Sequence, residues 1–171
     1  MRINSKVLGV AVVALAGLWF NGTANAAAVS SSVEVKTVTP VTVAETAKLK
    51  FGTFATGTSQ SVIRVSQAGV RTIVSGDVAL VTGVGADVEQ AGLFTVTGDA
   101  NRVVTVNIPQ SSINITGPGT TMSLGSFSYP TTRTIGGGGT VTLNVGGDLT
   151  VNANQASGDY SGNYTVQVNY Q

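Results

Sequence analysis

The strongest constraint on the fold lies in the last fourteen residues, GDYSGNYTVQVNYQ, where apolar and polar side chains alternate. The apolar set consists of Tyr160, Tyr164, Val166, Val168 and Tyr170. Successive side chains of a β-strand point to opposite faces, so this period of two predicts a strand over residues 158–171 with one buried face. Because only Gln171 follows the alternation, we expect the second neighbour of this strand to come from elsewhere.

Strand signals continue through the whole chain after residue 27. Val and Thr are frequent, helix formers are scarce, and Gly, Asn and Asp mark turns at intervals of about eight to twelve residues, which predicts an all-β antiparallel two-sheet sandwich. The predicted strands are residues 29–38, 47–54, 60–66, 70–76, 92–98, 102–108, 120–129, 139–147, 148–155 and 158–171. Gly98, Asp99 and Asn101 suit a hairpin turn, and residues 136–139 are expected to form a flexible link.

The first 26 residues predict a secretory signal peptide. Arg2 and Lys6 supply a basic start, the apolar run from Val7 to Phe20 follows, and the small residues of TANA precede the expected cleavage site. An uncleaved anchor helix is the alternative, but this run is shorter than the about 20 residues that a membrane span requires. We therefore expect export to the periplasm and then to the cell surface or medium, without a membrane span after cleavage.

Composition excludes several classes of partner. Removal of Arg2 and Lys6 leaves seven basic and eight acidic residues, a net charge of −1, so the basic surface of a nucleic-acid or anionic-lipid binder is not expected. Charged residues make up 10% of the chain against an ordinary share of about 25%. The chain has no cysteine and therefore no disulfide. The about 145 residues after the signal suffice for one domain.

Residues for catalysis are scarce. Histidine and cysteine are both absent, which removes the usual nucleophile–base pairs and the commonest metal ligands. Asp87 and Glu89 lack the ligand spacing of a calcium loop, and the glycines within 83–85 and 136–139 lack the continuation of a phosphate-binding loop. Two glycosylation sequons, at Asn114 and Asn163, are short enough to arise by chance. We expect no enzyme activity, no cofactor and no metal site.

A second alternating segment begins directly after the predicted signal. Val29, Ser31, Val33 and Val35 share one parity within residues 27–38, so this segment also has the pattern of a half-apolar strand. Two arrangements are open. The segment can pair within its own molecule and close the sandwich, or it can leave its domain and complete a neighbour by adding a strand to it.

The motifs, taken in order, carry a resemblance. VEVKTVTPVTV is followed by LKFGTF, by LFTVTG with Phe94, Val96 and Gly98, and finally by QASGDYSGNYTVQVNY. In this order and behind a signal peptide, the chain resembles the archaic chaperone–usher pilins and their spore-coat-protein-U-like relatives. It is also similar to a wider set of secreted bacterial domains that share the same motifs. One departure is the lack of a disulfide, which the archaic pilins usually carry.

The resemblance implies an incomplete immunoglobulin-like sandwich over residues 39–171, with residues 27–38 as the donor strand of a neighbouring copy. The implied donor side chains are Val29, Ser31, Val33 and Val35. The implied acceptor groove is lined by Tyr160, Tyr164, Val166, Val168 and Tyr170. The resemblance also implies that a periplasmic chaperone contacts this groove first and that an outer-membrane usher then assembles the fibre. The expected function is a structural subunit of a pilus or coat that polymerises head to tail. The alternative is a self-contained secreted sandwich that binds a glycan or protein through its loops.

Overall fold

The computed structural model describes residues 28–171, so the predicted signal peptide lies outside the described residues. The chain divides into two units, Met1–Lys36 and Thr37–Gln171. Residues 28–36 of the first unit form neither strand nor helix, and Val29, Val33 and Val35 are 93%, 86% and 83% exposed. The prediction of a strand over residues 29–38 is therefore wrong for the isolated chain. A strand without hydrogen-bonded neighbours is not stable in water, whatever its sequence pattern.

All regular secondary structure of the second unit is β-strand. The twelve strands are β1 (Thr42–Ala47), β2 (Phe54–Ala55), β3 (Ser61–Val65), β4 (Arg71–Ser75), β5 (Ala79–Leu80), β6 (Gly92–Thr97), β7 (Val103–Asn107), β8 (Ser112–Ile115), β9 (Met122–Ser128), β10 (Thr132–Thr134), β11 (Thr140–Val151) and β12 (Gln167–Tyr170). Every strand pair is antiparallel, which confirms the predicted class. Over residues 28–171, no helix is long and apolar enough to cross a membrane.

The strand order is that of an immunoglobulin-like sandwich. In one sheet β1 pairs with β6, β6 with β11, and β11 with both β3 and β9, while the second sheet has the order β10-β7-β12. An immunoglobulin sandwich has the order A-B-E-D in one sheet and C-F-G in the other. Here β1, β6, β11 and β9 take positions A, B, E and D, and β7 and β12 take positions C and F. Within the described part of the chain, no strand takes position G beside β12.

One long strand replaces two predicted ones. Residues 139–147 and 148–155 are not separate strands, because β11 runs without interruption through Gly146 and Gly147. A side chain at Gly146 would collide with the Val65 carbonyl, so this glycine permits close packing of backbones instead of a turn. The register of β11 against β9 shifts between Gly146 and Asp148, which accommodates the glycines as an irregularity within the strand.

Two further predicted strands are much shorter in the structure. Residues 47–54 contribute only the last residue of β1, the bridge from Lys50 to Gln90 and the first residue of β2, and the rest of the edge strand β1 precedes them. The predicted strand over 158–171 is reduced to β12, because its partner β7 ends at Asn107 and Pro109 has no backbone N–H to continue the ladder. The short strands β5, β8 and β10 were not predicted.

The core consists of two apolar clusters joined by β11. The first core contains Ile63, Val78, Ile115, Met122, Leu124, Leu149 and Val151. The second core contains Phe94, Val96, Val106, Ile108, Leu143 and Val145. Leu143 and Val145, in the first half of β11, face the second core, while Leu149 and Val151 face the first. The second core lies beneath β12 and the end of the chain.

The segment between β1 and β6 is organised by Asp77. Its carboxylate accepts hydrogen bonds from the backbone N–H and hydroxyl groups of Thr58 and Ser59, at distances of 2.7–3.2 Å. These bonds, that of the Ser59 hydroxyl first, hold the pKa of Asp77 well below its ordinary range. The carboxylate therefore stabilises the fold in its ionised form.

This geometry predicts a pH-dependent effect of Asp77→Asn. Because the folded state lowers the pKa, the stabilisation is complete above the unfolded value of about 3.9 and is lost as pH falls through the folded value. We expect Asp77→Asn to lower the urea midpoint at pH 7 and to differ less, though still measurably, from the unmodified chain at pH 2.5, which lies between the unfolded and folded pKa values. A difference that stays constant between these two pH values would contradict an ionised hydrogen-bonded Asp77.

Candidate functional site

The candidate site is an open seam between the two sheets. β1 pairs only with β6, and β12 pairs only with β7, so each strand leaves one edge without a ladder partner among the described residues. The two strands come together at one end, where the Tyr170 hydroxyl donates to the Thr39 carbonyl at 2.8 Å. We use the name seam for the space between β1 and the segment 160–170.

The closed end of the seam is fixed by Tyr170. Its hydroxyl accepts a hydrogen bond from the Asp99 backbone N–H at 2.7 Å, and the Thr39 N–H donates to the Asp99 carboxylate at 3.0 Å. A side chain at Gly98 would collide with the same hydroxyl, so the glycine of LFTVTG makes room for the last tyrosine. The predicted turn at Gly98, Asp99 and Asn101 is present, with Asn101 at φ 62°, but it is not the expected hairpin, because β6 and β7 lie in different sheets. The chain therefore enters this unit at the end where Tyr170 lies.

The predicted alternation of the C-terminal segment is confirmed. The even-numbered residues Tyr160, Tyr164, Val166, Val168 and Tyr170 are half-buried, while residues 161, 163, 165, 167 and 169 are exposed. Tyr164, Val166 and Val168 pack against the second core, and Val41 packs against it just before β1. The apolar face predicted from the sequence thus lies on the core, yet each of its side chains keeps part of its surface in solvent.

Tyr164 crosses the seam from the C-terminal segment to β6. Its ring lies 6.1 Å from the Phe94 ring at an angle of 73° and 5.2 Å from the Phe127 ring. A side chain at Gly92 would collide with the Tyr164 hydroxyl, which is buried and has no hydrogen-bond partner among the described residues. Burial, followed by the charge of Glu45 on β1, raises the pKa of Tyr164 to about 12. The side chain is therefore a neutral apolar contact across the seam.

Beyond Tyr164 the seam widens into a cleft of about 910 Å³. One wall is formed by residues 48–54 and the other by residues 155–164. The floor consists of side chains from both cores: Phe94, Ile115, Met122, Leu124 and Leu149. The charged residues that line this cleft are Glu45, Lys48, Lys50, Asp87 and Asp159. An apolar floor of this size is open to an incoming segment that carries apolar side chains.

Arg71 holds one wall of the cleft. Its side chain is 1% exposed, and its Nη1 donates to the carbonyls of Phe51 and Thr53 at 2.8 and 2.9 Å. Its Nη2 lies 3.3 Å from a carboxylate oxygen of Glu89 and donates to the Val81 carbonyl at 3.4 Å. The Phe51 carbonyl is thus bound by Arg71 and not by a neighbouring strand, and the Thr53 carbonyl is shared between Arg71 and the Val81 N–H, so residues 47–54 do not form the predicted continuous strand.

Tyr160 lines the cleft but also has a structural role that the sequence did not indicate. Its hydroxyl donates to the Ala156 carbonyl at 2.9 Å and accepts from the Gly119 N–H at 2.9 Å and from Gln155 Nε2 at 2.8 Å. A tyrosine whose hydroxyl bonds to the backbone a few residues upstream, at the connection that leads into strand F, is the tyrosine corner of immunoglobulin-like domains. Tyr160 precedes β12 by seven residues and resembles this corner, which agrees with the place of β12 as strand F.

We expect Tyr160→Phe to lower the free energy of unfolding by about 1–3 kcal/mol, because the Gly119 N–H and the Ala156 carbonyl lose their partner. Urea denaturation of the two chains measures this difference. The matched control is Tyr129→Phe, which removes a hydroxyl that accepts one bond, from the Ile108 N–H at 3.2 Å. If the two variants lose equal amounts of unfolding free energy, the hydrogen bonds of Tyr160 contribute no more to stability than the single bond of Tyr129.

The described residues show no arrangement that suggests a metal centre. No group of three or more His, Cys, Asp or Glu side chains that could hold an ion is found between residues 28 and 171. Glu89, which the sequence places near Asp87, is paired with Arg71 instead. The open seam and its cleft are therefore the features of this part of the chain on which a functional interpretation rests.

Comparison with known proteins identifies one family. The family described as Domain of unknown function (DUF4402) matches residues 41–170. No curated protein and no solved structure matches the chain. The matched residues begin directly before β1 and end with Tyr170, so they contain both edges of the seam and leave out the exposed residues 28–38.

Proposed function

The chain belongs to the DUF4402 family, and we propose that it is a structural subunit of a bacterial surface fibre or coat that polymerises by donor-strand complementation. One observation carries the proposal. Among residues 28–171 no strand takes position G beside β12, while Val29, Val33 and Val35 are exposed and pair with no strand of this described part. An added strand supplies backbone hydrogen bonds through its edge and specificity through alternate side chains.

The donor segment and the seam agree in length and polarity. Residues 29–36 and residues 163–170 are two runs of equal length, and at about 3.3 Å per residue each spans about 26 Å when extended. The donor run places its apolar side chains at odd positions, and the seam offers half-buried apolar side chains at Val166 and Val168. Burial of each valine contributes about 1.5–3 kcal/mol, so three valines with a hydrogen-bonded ladder give a long-lived junction.

The direction of the donor follows from the fold class. The sheets of an immunoglobulin-like sandwich are antiparallel, so a strand at position G runs opposite to β12. Its first residues then lie near Tyr170 and its last residues lie near the cleft. Because the chain enters its own domain near Thr39, beside Tyr170, successive copies point in the same direction. Such a head-to-tail contact does not close on itself and builds a filament.

Two further proteins, a chaperone and an usher, take part in the proposed assembly. A subunit whose seam is open exposes apolar surface and an unpaired strand edge, both of which favour aggregation. In the proposed assembly, a periplasmic chaperone covers the seam and prevents aggregation. An outer-membrane usher then replaces the chaperone with the donor strand of the next copy. In this role the segment 160–170 offers the chaperone its contact before it accepts the donor.

The second candidate function is that of a self-contained secreted sandwich that binds a glycan or a protein. The cleft favours it, because about 910 Å³ lined by both apolar and charged side chains lies within the size range of ligand sites. Size-exclusion chromatography and electron microscopy of the mature chain separate the two functions. Polymers, or a complex with a chaperone, support the function of a fibre subunit. A stable monomer in which segment 27–38 resists proteolysis supports the function of a self-contained binding domain.

A further inference from the structure

A loop on the rim of the cleft exposes three valines. In the loop 81–88, here called the valine loop, Val84 is fully exposed, Val88 is 73% exposed and Val81 is 39% exposed. A cluster of exposed apolar side chains in a soluble domain is a common mark of an interaction site. Gly83 and Gly85 flank Val84 at φ 109° and 84°, and their surroundings contain no atom that a side chain there would meet.

The base of the valine loop is attached to the wall of the cleft through Thr53. The Val81 N–H donates to the Thr53 carbonyl at 3.1 Å, and the Asp87 N–H donates to the Thr53 hydroxyl at 2.9 Å. The Thr53 N–H donates to the Asp87 carbonyl at 3.2 Å. Both Thr53 and Asp87 line the cleft. The valine loop therefore lies beside the end of the seam at which the donor strand leaves.

The connection between a donor strand and its own domain is short. Thr39 is fixed to its domain by Asp99 and Tyr170, and Val35 is the last donor valine. An extended chain covers at most about 3.6 Å per residue, so these two residues are separated by about 14 Å at most. The domain that provides the donor must therefore lie directly against the end of the domain that accepts it.

The direction of the donor determines which surfaces meet. A donor that runs opposite to β12 leaves at the cleft, so the cleft end of one copy meets the Thr39 end of the next. A donor parallel to β12 would leave the seam beside Tyr170, so the Thr39 end of the donating copy would meet the Thr39 end of the accepting copy. Successive copies would then collide at the same end instead of extending a filament. The Thr39 end exposes Val38 at 44% and Val103 at 38%, and the Gln171 N–H donates to the Val103 carbonyl there.

We infer that the valine loop of each acceptor copy packs against Val38 and Val103 of the copy that donates its strand. The partner is thus a second copy of this chain, and the inference rests on the proposed function. Each junction then has two parts: a strand that carries most of the affinity and an apolar end contact that covers the linker. The end contact buries valines that are otherwise exposed, and this burial slows the release of the donor copy.

A defined pair of copies tests the inference. An acceptor copy with Val33→Asp cannot donate, and a donor copy with Val168→Asp cannot accept, so the mature chains form a single junction when mixed. We expect Val84→Ser with Val88→Ser in the acceptor copy to raise the dissociation rate of this pair by about tenfold. The same two substitutions in the donor copy are the matched control, because its valine loop lies at the far end and should have no effect.

Each outcome has one interpretation. If Val168→Asp does not fold, a donor copy whose seam is filled with a synthetic peptide of residues 27–38 replaces it. Equal effects of the loop substitutions in the two copies, or no effect in the acceptor, overturn the end contact. If neither the donor copy nor the peptide binds the unmodified seam, the proposed function itself fails. The end contact is supported by two results together. The loop substitutions leave the affinity for the peptide unchanged, and they increase the rate at which the whole donor copy is released.

Discussion

Val33→Asp is expected to abolish polymers of the mature chain while leaving the folding of each subunit intact. Val33 is 86% exposed and belongs to no strand, so a carboxylate there costs the free subunit nothing. In a junction the same carboxylate would be buried on the apolar seam without a partner, which we expect to weaken the junction by at least about a hundredfold. Electron microscopy and size-exclusion chromatography measure polymer length, and urea denaturation measures subunit stability.

The control for Val33→Asp is Ser32→Asp. Ser32 lies on the opposite parity, so in a docked strand its side chain points to solvent and the added charge is hydrated. Polymers of normal length are expected from Ser32→Asp. Fibres of Val33→Asp that cannot be distinguished from those of the unmodified chain would rule out Val33 as a donor residue. Loss of fibres in both variants would show that charge, and not burial, disturbs assembly.

The parts of the site that depend on local pattern could be predicted from the sequence. The alternation from Tyr160 to Tyr170 is a property of adjacent residues, and the structure places the even-numbered side chains on the core. The turn with Asn101 is equally local, because a single residue at positive φ determines it, but the pattern did not indicate that the turn joins two different sheets instead of closing a hairpin. Periodicity reports which face of a strand is apolar, and that face exists in any sandwich in which the strand takes part.

Features that depend on distant residues could not be predicted in this way. Gly146 and Gly147 read as a turn because the packing of Gly146 against Val65 is visible only in three dimensions. The loss of the strand over residues 47–54 has the same origin, since Arg71 lies about twenty residues further along the chain. In VRTIVSG an arginine between β-branched residues is typical of an exposed position, yet here it is buried.

One signal for the closed end of the seam was present in the sequence. The resemblance motif contains Gly98, and the chain ends with Tyr170, but nothing in either pattern indicates that the two residues meet. The structure shows that the hydroxyl of Tyr170 takes the space that a side chain at position 98 would fill and binds Thr39 and Asp99. The two motifs therefore act together and fix the point at which the chain enters the second unit.

Arg71→Met is expected to lower the free energy of unfolding by about 3 kcal/mol, because it removes a buried guanidinium that donates hydrogen bonds to backbone carbonyls and pairs with the partly exposed Glu89. The carbonyls of Phe51 and Val81 lose this donor, the Thr53 carbonyl keeps only the Val81 N–H, and Glu89 loses its counter-charge. Since Phe51 and Thr53 form the cleft wall and Thr53 anchors the valine loop, the release of a donor copy should be faster as well. Urea denaturation and the mixed pair of copies measure the two effects separately.

Arg64→Met is the matched control for this change. Arg64 lies on β3, next to β4, and its Nε and Nη2 bind Asp148 at 2.7 and 2.6 Å, but its side chain is 52% exposed. An exposed ion pair is screened by water and contributes little, so we expect a much smaller loss of stability and an unchanged release rate. If Arg71→Met destabilises the chain without affecting the release of a donor copy, the cleft wall takes no part in the junction. If the two arginine variants behave alike, the buried guanidinium does not organise the wall.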